Sequence, residues 1–229
     1  MFWEEDHAEQ QPEIPEDVVD LLFSIHCRAL PVDHAYALSR AVQEALPWLD
    51  GEARAAVHTI YVAGSQNGWE RPAGDGNQLL IPSRRTKLTL RVPVERLADA
   101  ARLSDRELDV GGFPVKVGNS KTRPLSKQGT LFSRYVACHP GEEEHSFLRR
   151  MAADLSEMGI PVKKAVCGKE TALRTPNGKV HTRSLLLADL SLEQAVRLQR
   201  LGLGPHRLMG CGIFLPHKGI EPVKNRGDD

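Results

Sequence analysis

Twice along the chain a strand-like run is followed by a helix, two further strands, a second helix and a closing strand. This repeated order constrains the fold more than any other feature of the sequence. In the first half, residues 18–28 (VVDLLFSIHCR) are apolar and β-branched and stop before Pro31, as a central strand does. Asp33 can cap the segment in which Ala35, Leu38, Val42 and Leu46 recur at helical spacing, and Pro47 ends it. Residues 57–63 (VHTIYVA) read as a second strand. Residues 79–92 hold a third, in which Leu88, Leu90 and Val92 alternate with polar side chains. Pro93 opens a short helix, and residues 107–117 close the unit with a glycine-bent strand. The second half supplies a strand over 130–138 and a helix over 142–158 with Phe147, Met151 and Leu155 on one face. Strands over 162–170 and 178–190, a helix over 191–203 and a strand over 211–216 follow. The order βαββαβ, read twice, predicts an α+β chain of two tandem ferredoxin-like domains, residues 18–120 and 128–220. Residues 1–17, acidic and interrupted by Pro12 and Pro15, read as a flexible tail.

The last helix runs into GLGPHRLMGCG, residues 202–212, with four glycines in eleven residues. Such a loop lets backbone approach a ligand closely and offers N–H groups to an anion, which suggests phosphate. Gly202, Gly204, Arg207, Gly210 and Gly212 are therefore candidate contacts. Neither GxGxxG nor GxxxxGK[ST] occurs, and a helix, a glycine loop and then a strand is the reverse of the dinucleotide-binding order. The competing reading is a helix C-cap followed by a packing turn.

Lys plus Arg and Asp plus Glu both total 30, so the chain carries no net charge, yet the charges are segregated. Residues 1–20 hold eight acids and no Lys or Arg. Arg84, Arg85, Lys87 and Arg91 then fall in one acid-free run, Lys116, Lys121, Arg123, Lys127 and Arg134 in another. Lys163, Lys164, Lys169, Arg174, Lys179 and Arg183 stand against Glu170 alone. A neutral protein can thus present a basic face to a polyanion; otherwise these charges blunt strand edges. Trp69 and Arg71 lie in a polar loop and offer stacking and charge to a base. Four cysteines without CxxC spacing read as reduced thiols in a cytoplasmic protein, and no run is long enough for a membrane span.

The nine histidines show no metal-ligand spacing, so no metal or other cofactor is expected, and no GxSxG elbow occurs. What remains is a histidine as general acid or base. His34, at the start of the first helix, and His58, at the head of the second strand, are the candidates, each with a hydrogen-bonded structural role as its alternative. His58-Thr59 and His181-Thr182 hint at a two-histidine phosphoesterase, but the HxT spacing would need Thr at Ile60 and Arg183.

Together LPVDHAYALS (30–39), the segment from His58 to NGWERP (67–72), SRRTKLTLRVP (83–93), TRSLLLADLS (182–191) and GLGPHRLMGCGIFLPHK (202–218) resemble the CRISPR-associated endoribonucleases that cut precursor CRISPR RNA within its repeats. These are members of the RAMP superfamily, and the likeness is to the MYXAN branch. The resemblance implies CRISPR repeat RNA as substrate, with other CRISPR-associated proteins of an effector complex as further partners, and no membrane. It implies metal-independent cleavage in which the ribose 2′-OH attacks the adjacent phosphate. The family's catalytic histidine matches His58. Many relatives have a tyrosine late in the first helix, where this chain has Gln43 and Glu44, with Tyr36 earlier; His34 then becomes the candidate partner, the alternative being an Arg or Lys that stabilises the charge alone. The alternative is a non-catalytic RNA-binding RAMP subunit.

Overall fold

A computed structural model describes residues 15–62 and 78–217. Strand β1 (Val18–His26) sits at the middle of the first sheet because its alternation serves two surfaces. It is followed by a two-residue strand β2 (Leu30–Pro31), helix α1 (Ala35–Ala45), short strands β3 (Ala56–Val57) and β4 (Leu79–Leu80), and strand β5 (Lys87–Pro93). Helix α2 (Leu97–Ala101) and the hairpin of β6 (Glu107–Asp109) with β7 (Pro114–Pro124) complete this half. The five-stranded antiparallel sheet runs β3-β5-β1-β7-β6, while β2 and β4 pair separately. Leu21, Phe23 and Ile25 of β1, Leu88, Leu90 and Val92 of β5, and Val115 and Val117 of β7 form a core with Leu38 and Val42 of α1. Each such fully buried side chain contributes about 1.5–3 kcal/mol.

The second half contains β8 (Leu131–Ala137), α3 (Glu144–Glu157), β9 (Lys164–Thr175), β10 (Gly178–Ala188), α4 (Leu192–Leu201) and β11 (Leu215–Pro216). Its sheet runs β11-β8-β10-β9 around a core of Leu131, Phe147, Met151, Leu155, Leu185, Leu187, Leu198 and Phe214. Ser191 and Gln194 close a reciprocal capping box at the start of α4.

Polar bonds join the halves. Arg91, fully buried, donates to both Asp20 carboxylate oxygens and, through Nη1, to the carbonyls of Gln199 at 3.0 Å and Phe214 at 3.1 Å. Arg200 pairs with Asp17 in two bonds of 2.7 and 2.6 Å. The Gln199 side chain bonds the backbone of Ser126 in both directions.

Several boundaries move. The strand expected over 57–63 shrinks to Ala56–Val57, with one further ladder bond from His58 N–H to the Thr89 carbonyl. It stops there because the Ile60 N–H is diverted to the His34 ring. His34 rather than Asp33 stands at the N-cap position of α1 and makes no side-chain cap bond there, while the Asp33 carboxylate accepts the Arg174 backbone N–H. β7 runs to Pro124, beyond the expected domain edge at residue 120. The strand expected over 211–216 is confined to Leu215–Pro216, preceded by a buried irregular stretch. Among the described residues no helix is long and apolar enough to cross a membrane.

Candidate functional site

Strand pairing in the first sheet decides which side chains share its outer face. Asp20, Leu22, Ser24 and His26 of β1 point away from the helices, because Leu21, Phe23 and Ile25 point into the core. Arg91, Thr89 and Lys87 on β5 stand opposite Asp20, Leu22 and Ser24, and Arg123, Lys121 and Lys116 on β7 stand opposite Asp20, Leu22 and His26. Asp20 is committed to Arg91 and to Arg123, the latter at 2.9 Å. Lys87, Lys116 and Lys121 remain exposed. Two clefts open on this face. One, of about 740 Å³, is lined by residues including Ser24, His26, Arg84 and Lys116. The other, of about 650 Å³, is lined by Leu22, Lys87, Lys121 and Arg123 among others. Arg84 and Lys87, expected to meet RNA, are thus joined by three cations of β7, and Arg85 is exposed beside Arg84.

The other expected cations are not part of this face. Lys163 precedes β9, and Lys164 and Lys169 lie on it, an edge strand where lysines discourage further pairing. Lys164 pairs with Asp189 at 2.8 Å. Arg183 turns to backbone, donating to the carbonyls of Gly168 at 2.9 Å and Glu142 at 2.6 Å. Trp69 and Arg71 fall outside the described residues.

The glycine loop lies across α1 and the 57–59 segment. Its glycines divide by environment. A Cβ on Gly212 would sit 2.1 Å from the Leu203 carbonyl, one on Gly202 2.8 Å from the Gly212 carbonyl, and one on Gly210 2.7 Å from Thr59 Cγ2. All three have positive φ and are buried, so they serve close contacts within the protein. Much of the loop's backbone is also spent internally: Gly202 N–H bonds the Leu198 carbonyl, Leu203 N–H the Gly212 carbonyl, and Gly212 N–H the Tyr135 carbonyl. Gly204 differs, being exposed with open space where a Cβ would stand. Arg207, expected to face a phosphate, instead donates to the carbonyls of Arg200, Leu201, Ala53 and Arg54. It closes the free end of α4 and ties the loop to the first half. Burial first, and the nearby Arg91 charge second, push its guanidinium down to about 10.

Both candidate histidines are interior. His34 is 3% exposed, with Nδ1 2.8 Å from the Pro31 carbonyl and Nε2 2.9 Å from the Ile60 nitrogen. Because Ile60 can only donate, Nε2 carries no proton and Nδ1–H donates to Pro31: the ring is neutral and both nitrogens are occupied. His58 is 5% exposed, with Nε2 3.5 Å from Asp20 Oδ1. Burial pushes its pKa below the ordinary histidine value; Asp20 opposes this, and Arg91 and Arg123 reinforce it. For Asp20, burial alone would raise the carboxyl, but Arg91 and His58 more than offset it and hold it well below the usual range. As placed, these two rings, the candidates named from sequence, lie buried against the backbone of Pro31 and Ile60 and beside the Asp20 carboxylate.

A different histidine lines a cleft. A space of about 550 Å³ opens between α1 and the loop, bordered by Tyr36, Arg40 and Gln43 on one side and His206 and Arg207 on the other. Sequence reasoning centred on Arg207 passes over His206. The available signal is a histidine among glycines in a turn, since His is one of the few side chains tolerated at positive φ. Among the described residues no three His, Cys, Asp or Glu side chains are grouped so as to hold a metal ion.

Known proteins share this arrangement. Residues 19–219 match the model of the Cas6 CRISPR family. The chain is 30% identical over 209 residues to a CRISPR-associated endonuclease Cas6 of Myxococcus xanthus (strain DK1622), covering 91% of this chain and 86% of that protein. Among solved structures, a CRISPR-associated protein Cas6 aligns with a TM-score of 0.62 at 11% identity, over 88% of this chain and all of the other. A RAMP protein described as binding different RNA substrates aligns at 0.59 and 15%, over 86% of this chain and 98% of the other. At those identities the two structures speak for the fold, whereas the extent of the family match, from β1 through β11, settles membership: the chain belongs to the Cas6 family of CRISPR-associated proteins.

Proposed function

We propose that this protein is an endoribonuclease that binds CRISPR repeat RNA and cuts it by attack of a ribose 2′-OH on the neighbouring phosphate, without a metal ion. The observation that carries the binding half is the outer face of the first sheet, where Lys87, Lys116 and Lys121 stand in register with β1 and are exposed, while Asp20 of β1 is committed to Arg91 and Arg123. Phosphates dominate the affinity of such faces. The cleavage half rests on the family, on the endonuclease name of the Myxococcus relative, and on chemistry. A 2′-OH needs only a positioned base, an in-line leaving 5′-oxygen and cations near the phosphate. The product ends would be a 2′,3′-cyclic phosphate and a 5′-OH.

The same reading treats each half as a ferredoxin-like domain. Removing the additional β6, the first sheet orders its strands β3-β5-β1-β7 and the second β9-β10-β8-β11, the same sequence of pairings. With β7 ending at Pro124, the division falls between that residue and Leu131. The protein would work in the cytoplasm, where transcribed repeats and other CRISPR-associated proteins are found.

Burial of His34 and His58 favours one competing reading, a RAMP subunit that binds RNA without cutting it. Labelled repeat RNA incubated with EDTA, beside the same RNA with a 2′-deoxy nucleotide before the cut, separates the two. Cleavage of the first and not the second supports the endoribonuclease. Tight binding with both RNAs intact supports the subunit.

A further inference from the structure

The cleft at the far end of β1 holds a charge that a phosphate-binding face does not call for. β5 begins at Lys87, opposite Ser24, so Ile25 and His26, the last residues of β1, have no strand beside them on that side. On the other side β7 bulges: Gly118 and Asn119 together face Ser24, between the pairs Phe23–Ser120 and Ile25–Val117. The missing strand and the bulge border a space of about 740 Å³, within the range of sites for small organic groups. Asp105 lines it from the turn between α2 and β6. Its backbone is left-handed, φ 62°, which glycine adopts freely and which Asp and Asn tolerate better than most residues. Two bonds lock that backbone to β7: Asp105 N–H donates to the Val117 carbonyl at 2.9 Å, and Val117 N–H to the Arg106 carbonyl at 2.8 Å. The side chain is exposed and makes no hydrogen bond or ion pair with another described residue. Arg84 and Lys116 border the same space, also exposed and without an ion pair among the described residues.

A carboxylate here repels a phosphate backbone, so Arg84 and Lys116 would hold a plain polyanion better without it. It gains a use where RNA presents donors. Guanine alone among the four bases offers two adjacent N–H donors, at N1 and N2, that one carboxylate accepts together, and its O6 and N7 are acceptors suited to Arg or Lys. Those edges are open to a protein when the nucleotide is unpaired. His26 supplies a ring, and Pro82 an apolar surface, for the face of the base.

We infer that this cleft is a specificity site for one unpaired guanine of the bound RNA, with Asp105 accepting from N1–H and N2–H and the cations Arg84 and Lys116 holding O6 and the flanking phosphate. The inference rests on the RNA-binding half of the reading above and is independent of where the cleavage chemistry sits. Lys87 and Lys121 grip any strand in any register. Asp105 sets the register, because only one kind of nucleotide settles at the end of the basic face.

The test is equilibrium binding of the full chain to short oligoadenylate RNAs carrying one central guanosine, inosine, cytidine or uridine, beside the all-adenosine strand. The guanosine strand should bind about 5- to 100-fold tighter than the all-adenosine strand. Inosine, which keeps N1–H but lacks the 2-amino group, should fall between them, a comparison that needs no variant. Asp105→Gly and Asp105→Asn both accept a φ of 62° and should melt as wild type does. Asp105→Gly should bind every strand alike, no more weakly than wild type binds oligoadenylate. Asp105→Asn, left with one acceptor, should keep at most a small part of the preference. Equal binding of all strands by wild type, a preference for cytidine or uridine, or a guanosine preference that survives in both variants would overturn the inference and leave the endoribonuclease reading standing. Wild-type protein that binds neither these strands nor repeat RNA would remove both.

Discussion

His34 accepts the backbone N–H of Ile60 at 2.9 Å while its other ring nitrogen, 2.8 Å away, donates to the Pro31 carbonyl. One imidazole thus fastens the start of α1 to the segment leaving β3, and it ends the β3 ladder by doing so.

Removal of that ring takes the acceptor from the buried Ile60 N–H and a donor from the partly buried Pro31 carbonyl. An orphaned buried donor or acceptor costs about 1–3 kcal/mol. His34→Ala should therefore lower the midpoint of urea unfolding, and any loss of cleavage should track the unfolded fraction. A variant as stable as wild type but inactive would return His34 to catalysis.

His58 and Asp20 tie stability to pH in the same direction. The folded state holds His58 below its ordinary value, so below about pH 6.5 the unfolded chain binds the proton more readily and stability falls. Asp20, also held low, adds stability above about pH 3.9 that is lost as pH drops further. Unfolding followed from pH 8 to pH 5 should show a decline that His58→Gln flattens. Asp20→Asn should destabilise more broadly, by about 3–5 kcal/mol, because Arg91 is then buried without its counter-charge.

Arg207→Ala should behave as a stability variant. It removes donors from four carbonyls, two of them at the exposed end of α4. A lower melting temperature with unchanged repeat affinity per folded molecule is expected. Weakened binding at an unchanged melting temperature would place the guanidinium on RNA.

The loop's glycines should separate in the same assay. Gly212→Ala forces a Cβ into the Leu203 carbonyl and should prevent stable folding, whereas Gly204→Ala meets open space and should cost only about 1–2 kcal/mol for its φ of 76°.

Lys87→Ala with Lys121→Ala should weaken binding and reduce the slope of log affinity against log salt by about 1.4, two phosphates at 0.7 each on single-stranded RNA. An unchanged slope would take the sheet face out of the interface.

The order of strands and helices was legible because burial alternates along β1 and β5 and recurs at helical spacing in α1 and α3. The basic face was half legible: charge runs named Arg84, Lys87, Lys116 and Lys121, but only strand register shows that β5 and β7 flank β1 and add their cations on one side. The surroundings of the histidines were not legible for a different reason. Whether a ring faces solvent or a backbone amide is decided by a partner distant in sequence, as Ile60 is for His34 and Asp20 for His58. Arg207 shows the same limit, since carbonyls carry no residue-type signature.

The guanidinium of Arg91 belongs to the first half by sequence, but two of the carbonyls it serves belong to the second. Cutting the gene between Pro124 and Leu131 would give an amino-terminal fragment with a cation stranded beside Asp20 and a carboxy-terminal fragment with two bare carbonyls at Gln199 and Phe214. Neither piece would be at ease alone, and each carries what the other lacks. Co-expressed from separate messages, the fragments should find one another and reassemble, which makes this junction a natural place to build a two-part version of the protein.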